Sequence, residues 1–145
     1  MRILAVDYGD TRTGIAVSDL TRTLVGEAWT VTEKNAKRLA SLIARTAAER
    51  GASILVVGYP RNMDGTVGPR AQKAEALGEL LRQLCADSGA YDVVFWDERR
   101  TTVDAHRILS EAGRHGEKRR AAVDAVAASL ILEGYLNSLE RPTRA

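Results

Sequence analysis

The chain has a single cysteine, Cys85, among 145 residues, so an intrachain disulfide is excluded. That fits a reducing compartment. Cys85 shares a helical stripe with Ala74, Leu77, Leu81 and Leu84, which reads as a core position and not as a nucleophile. Histidine is almost as scarce. His106 and His115 stand in or beside a basic stretch, without a partner at metal-ligand spacing, and are read as surface residues. An excess of one charge is missing too: the net charge is +2, which by itself says little about a polyanionic partner. No apolar run approaches the roughly 20 residues of a membrane span. The apolar start behind Arg2 meets Asp7 too soon for a signal peptide. The expectation is a cytoplasmic protein without a membrane partner. Repeats, linkers and breaks in composition are absent, so residues 1–139 are expected to form one domain and 140–145 a loose tail.

What is present alternates between two periods. Ile3–Tyr8, Thr13–Ser18 and Leu24–Val31 are rich in β-branched or aromatic residues and are separated by Gly, Asp and Thr clusters, which predicts three strands. From Lys34 to Arg50 the apolar positions Ala36, Leu39, Ala40, Ile43 and Ala47 take helical spacing, and Gly51 stands where a helix stops. Ile54–Tyr59 and Asp92–Trp96 read as short buried strands, Arg70–Asp87 and Thr101–Ala112 as helices, Arg114–Lys118 as a basic loop, and Arg119–Leu139 as a last helix. The order β-β-β-α-β-α-β-α-α predicts an α/β fold, with an antiparallel meander first and parallel crossovers after it.

Three acids draw attention. Alternation along the first strand puts Ile3, Ala5 and Asp7 on one face and Leu4, Val6 and Tyr8 on the other, so Asp7 ends an apolar face. The bland reading is that it opens the turn Asp7-Tyr8-Gly9-Asp10. Asp124 is the only charge between Arg120 and Glu133, on a helix otherwise made of Ala, Val, Ser, Leu and Ile. A buried, unpaired carboxylate there would cost several kcal/mol, so an ion pair, a hydrogen bond or a cation must satisfy it. Asp97 and Glu98 end a buried strand, where ligands gather in open α/β sheets. Their side chains should point to opposite faces, so only one of them can aim at a shared site. Converging carboxylates repel unless hard divalent cations neutralise them, and one or two Mg²⁺ or Mn²⁺ ions suit an all-oxygen site.

The surroundings suit an anionic polymer. Between Arg99 and Arg120 stand seven Lys or Arg against three acids, enough to hold a phosphate backbone without reading its sequence. The loop Gly58–Pro69 lacks the Gly-Lys-Ser/Thr of a P-loop, and it carries Arg61 and Asn62 as phosphate hooks. Asp7–Gly14 resembles the first phosphate loop of the actin-like and sugar-kinase group.

Taken in order, Leu4-Ala5-Val6-Asp7-Tyr8-Gly9 with Arg12 and Gly14, Gly14–Asp19, Val57-Gly58-Tyr59-Pro60 with Asn62–Gly65, Asp97-Glu98-Arg99 with Thr101-Thr102, and Lys118 with Asp124–Ala128 closely resemble the YqgF or RuvX family. These proteins were first labelled Holliday junction resolvases, by likeness to RuvC, and are now generally regarded as pre-16S ribosomal RNA nucleases. The resemblance implies an RNase-H-like fold with a central five-stranded mixed sheet flanked by helices. It also implies that Asp7, Glu98 and Asp124 are catalytic metal ligands, and that the task is maturation of the 5′ end of small-subunit ribosomal RNA. Thr11 stands where the family often has Lys, which leaves Arg12 to contact phosphate there. RuvC-like nucleases take an acid from the fourth strand. Here that strand ends Gly58-Tyr59-Pro60, so the role of Glu98 requires the fifth strand to reach the same point.

The leading expectation is therefore a phosphodiesterase with Arg12, Arg61, Asn62, Arg99, Arg100 and Lys118 on nucleic acid, either a ribosomal RNA precursor or branched DNA. A resolvase of DNA junctions and a nucleic-acid-binding assembly factor with little catalysis are the alternatives. An actin-like phosphotransferase would need two copies of the fold to close over ATP. RNA against DNA, endo- against exonuclease and the oligomeric state, a homodimer included, are left open by the residues.

Overall fold

In the structure, a computed structural model, the described residues are 2–60, 64–88, 91–98 and 116–140, with the side chains of 86–88, 116–124 and 140 set aside. Eight elements follow one another: β1 Arg2–Asp7, β2 Arg12–Ser18, β3 Val25–Thr32, α1 Ala36–Arg50, β4 Ala52–Tyr59, α2 Pro69–Ser88, β5 Asp92–Asp97 and α3 Gly116–Glu140. The strands form one sheet in the order β3-β2-β1-β4-β5. The first three pair antiparallel, while β1 with β4 and β4 with β5 pair parallel, which is the five-stranded mixed sheet expected.

Alternation along the strands divides the core in two. Leu4 and Val6 of β1, Ile15 and Val17 of β2, and Leu55 and Val57 of β4 meet Leu39, Ile43 and Ala47 of α1 and Ala71, Ala74, Leu77 and Leu81 of α2. Ile3, Ala5, Ala16 and Val56, on the opposite face, meet Ala128, Ile131, Leu132 and Leu136 of α3. Helices thus cover both faces of the sheet. Both ends of α1 are capped, the C-terminal one at the Gly51 that the sequence indicates. The Asn35 side chain accepts from the Arg38 N–H at 3.0 Å, and Gly51 takes the left-handed conformation (φ 65°) that closes a helix. On α2, Leu84 and Cys85 pack against the core, and the Cys85 thiol donates to the Tyr91 carbonyl.

Most boundaries shift by one to three residues, and two of the shifts have a plain physical reason. Leu24 was expected inside β3, yet it is 68% exposed and ends a turn. The Asp19 carboxylate accepts from the N–H groups of Thr23 and Leu24, and the Leu24 carbonyl accepts from Asp19 N–H, so the chain pairs as a strand only from Val25. The last helix begins at Gly116, three residues early, which places Lys118 in its first turn and not in a loop. Glu117, Lys118 and Arg119 are good helix formers, but they lack the apolar period by which a helix is read. The helix expected at Thr101–Ala112 lies outside the described residues, as do His106 and His115. No helix among the described residues is long and apolar enough to cross a membrane.

Leu132, fully buried between α3 and the sheet, tests this layering. Leu132→Ala is expected to cost about 2–5 kcal/mol, read as a lower urea midpoint with an unchanged slope.

Candidate active site

The parallel crossovers bring the carboxyl ends of β1, β4 and β5 to one edge of the sheet. Antiparallel β2 begins there with Arg12, which pairs with Thr32 at the end of β3. Asp7 ends β1 on the α3 face, following Ile3 and Ala5, and is 9% exposed. Neighbouring β4 pairs Val6 with Val57, and one residue further this register sets Asp7 beside Gly58.

Gly58 explains how Glu98 reaches the same place. A Cβ at position 58 would lie 2.7 Å from Ile131 Cδ1, 2.8 Å from Glu98 Oε2 and 3.1 Å from Glu98 Cδ. The missing side chain is therefore the space into which the Glu98 carboxyl folds, directly after β5. A glycine inside a strand pattern is the available sequence signal for such a close approach. The fourth strand ends Gly58-Tyr59-Pro60, and the carboxyl beside it comes from the end of the next strand. Asp97 points the other way. It lines a cleft of about 460 Å³ on the α2 face, together with Tyr59, Glu75, Glu79, Arg82 and Phe95. Of the two acids that end β5, it is Glu98 that turns to the α3 face.

Helix α3 packs mainly on β1, β2 and β3, and it reaches β5 at Trp96. A Cβ on Gly134 would approach the Trp96 ring at 3.0 Å, and Ile131, one turn earlier, sits at Gly58. Asp124 lies two turns before Ile131 along this helix. The Asp124 and Lys118 side chains, and Arg61, Asn62, Arg99 and Arg100 altogether, lie outside the described residues. Among the described residues no group of three or more His, Cys, Asp or Glu forms a metal cluster.

The electrostatics of Glu98 bear on whether a cation fits. Burial raises its carboxyl above the ordinary glutamate range, Arg70 pulls it back in part, and Asp97 pushes it further up. A carboxylate drawn out of water beside an aliphatic side chain, with a second carboxylate adjacent to it in Asp97, is relieved by a positive ion. Oxygen-only donors suit Mg²⁺ or Mn²⁺.

Residues 1–138 match the family model described as RuvX, Holliday junction resolvase. A protein of Ruminiclostridium cellulolyticum, named as a candidate pre-16S rRNA nuclease, is 39% identical over 140 residues, 96% of each chain. One of Acetivibrio thermocellus, with the same name, is 42% identical over 143 residues, 95% of this chain and 96% of its own. Among solved structures, Thermus thermophilus RuvC in complex with a Holliday junction substrate superposes with a TM-score of 0.62 at 12% identity, over 97% of both chains. The fowlpox virus Holliday junction resolvase gives 0.60 at 14% identity, over 95% of this chain and 99% of its own. The fold is thus RNase-H-like.

The raised Glu98 carboxyl fixes a pH signature. With its folded value above the unfolded one, its stabilising effect is complete below about pH 4.5, the ordinary value, and is lost as pH rises through the folded value. In the metal-free protein, Glu98→Gln is therefore expected to raise the melting temperature at pH 7 and to leave it nearly unchanged at pH 4. Added Mn²⁺ should stabilise the parent protein and not the variant. Melting curves across pH, with chelator and with Mn²⁺, check both.

Proposed function

Because the chain belongs to the RuvX family of Holliday junction resolvases, we propose that it is a divalent-metal-dependent nuclease that matures precursor 16S ribosomal RNA in the cytoplasm. That it is a nuclease, a hydrolase of phosphodiester bonds, follows from the family and from its full-length relatives. The metal, the substrate and the roles of single residues are the proposal.

One observation carries it: the Glu98 carboxyl occupies the empty side-chain position of Gly58, next to the strand that ends in Asp7. In this reading Asp7 and Glu98 hold the ion, with Asp124 joining them from α3. A bound Mg²⁺ or Mn²⁺ supplies charge neutralisation, activation of water and stabilisation of the leaving oxygen. The protein's own part is placement. Its strand ends fix the two carboxylates, and Ile131 closes the aliphatic side of the site. Arg12, at the same edge, is assigned to a backbone phosphate, as are Arg61, Asn62, Arg99, Arg100 and Lys118. The RNA substrate is favoured because the relatives named for it match at about 40% identity along the whole chain, whereas the junction-bound RuvC shares 12% and supports only the fold.

Purified protein incubated with precursor ribosomal RNA and, separately, with a four-way DNA junction should cut the RNA, and only when Mn²⁺ or Mg²⁺ is present. Asp7→Asn is expected to lower cleavage by more than the ten- to hundredfold typical of losing an outer partner of a metal ligand, with its fold intact by circular dichroism. Cleavage that survives in Asp7→Asn would leave the assembly-factor reading. Gly58→Ala gives a second check. Its methyl group must displace the Glu98 carboxyl or Ile131, so activity should fall far more than thermal stability does.

A further inference from the structure

Several of the described cations are engaged within the protein. Arg2 donates to the Arg50 carbonyl at 2.8 Å, Arg50 pairs with Glu27, and Arg82 pairs with Glu79 at 2.8 Å. Lys73 pairs with Asp10 at 2.5 Å, and this contact pins the first turns of α2 to the turn between β1 and β2, three residues after Asp7. Arg70 stands one turn before Lys73 on that helix and is exposed. Being three residues before Lys73, it shares that side of α2, which the Lys73–Asp10 contact holds against the β1–β2 turn, and its charge is felt at Asp10 and Glu98. It forms no hydrogen bond or ion pair with either of them among the described residues. A guanidinium so placed, near carboxylates yet bonded to none, has its donors facing solvent at the entrance of a site whose substrate carries a negative charge at every phosphate.

We propose that Arg70 binds a backbone phosphate of the substrate at the α2 side of the acidic site, through paired N–H donors to the non-bridging oxygens. Arginine suits this task because its planar fork matches two phosphate oxygens at once. The contact would lie across the sheet edge from α3, whose first turns carry Lys118, so the backbone is gripped on both flanks of the scissile bond. Its positive charge also tempers the repulsion between an incoming phosphate and the carboxylates. The assignment rests on the nuclease reading above and adds a substrate contact to it.

The test compares parent protein, Arg70→Gln, Arg70→Lys and, as a charge-loss control, Arg45→Gln on the exposed side of α1. Cleavage of precursor RNA with Mn²⁺ gives kcat and KM. Binding of labelled RNA to each variant in an Asp7→Asn background, measured against salt, gives the electrostatic slope. Arg70→Gln should lower kcat/KM about ten- to hundredfold, as expected for a lost charged hydrogen bond. It should also reduce the salt slope by about one. Arg70→Lys should restore the slope but only part of kcat/KM, and Arg45→Gln should change neither. Parent-level kcat/KM and slope in Arg70→Gln overturn the assignment while the nuclease reading stands. Absence of metal-dependent cleavage by the parent protein would bring down the nuclease reading first, and an unchanged salt slope in Arg70→Gln would then still reject the contact.

Discussion

The Glu98 carboxyl is drawn out of water beside Gly58 and Ile131, and Gly58 lies on the strand next to the one that ends in Asp7. Carboxylates gathered at one edge of a sheet repel one another unless something positive joins them. The fold supplies the means of holding them there. Strands β1 and β4 are tied in parallel register, β5 adds one more parallel strand, and α3 lies across the face on which both carboxylates emerge. The hydrophobic layers above and below serve this edge by fixing strand positions to within a side chain's width.

Glycine is as important to that arrangement as the acids are. Any side chain at position 58 would occupy the volume that the Glu98 carboxyl and Ile131 now share. The pair Asp97 and Glu98 then divides its duties by strand alternation. Asp97 lines the cleft under α2, while Glu98 turns to the α3 face. The charge of Asp97 still reaches Glu98 through the sheet and pushes its carboxyl upward. A solvent-exposed arginine on α2 works in the opposite sense. The site is thus framed by elements from both layers, although its acids emerge on one.

Much of this was legible before any coordinates. The switch from period two to period 3.6 marks β1, β2, α1, β4 and α2 to within a few residues, because each buries a regular apolar stripe. Asp7 was legible as a charge at the end of such a stripe. The choice between Asp97 and Glu98 was not, since alternation says that they diverge but not which of them meets β1. That depends on the register between β4 and β5 and on the empty position at Gly58, both of them contacts between distant segments. Arg70 escaped notice for a related reason. It sits where a helix begins, a place at which charged residues are ordinary, and only the packing of α2 beside the β1–β2 turn gives it a neighbourhood. The start of α3 was misjudged because Gly116 to Arg120 carries charge where the helical period would show.

The central claim is that Asp7 and Glu98 act on one cation together. Calorimetric titration of Mn²⁺ into the parent protein, Asp7→Asn, Glu98→Gln and the double variant measures this as a coupling between the two residues. If both ligate one ion, each single change should weaken binding severely and the double change should add little. Independent, additive losses, or Mn²⁺ affinity untouched by either substitution, would contradict the account.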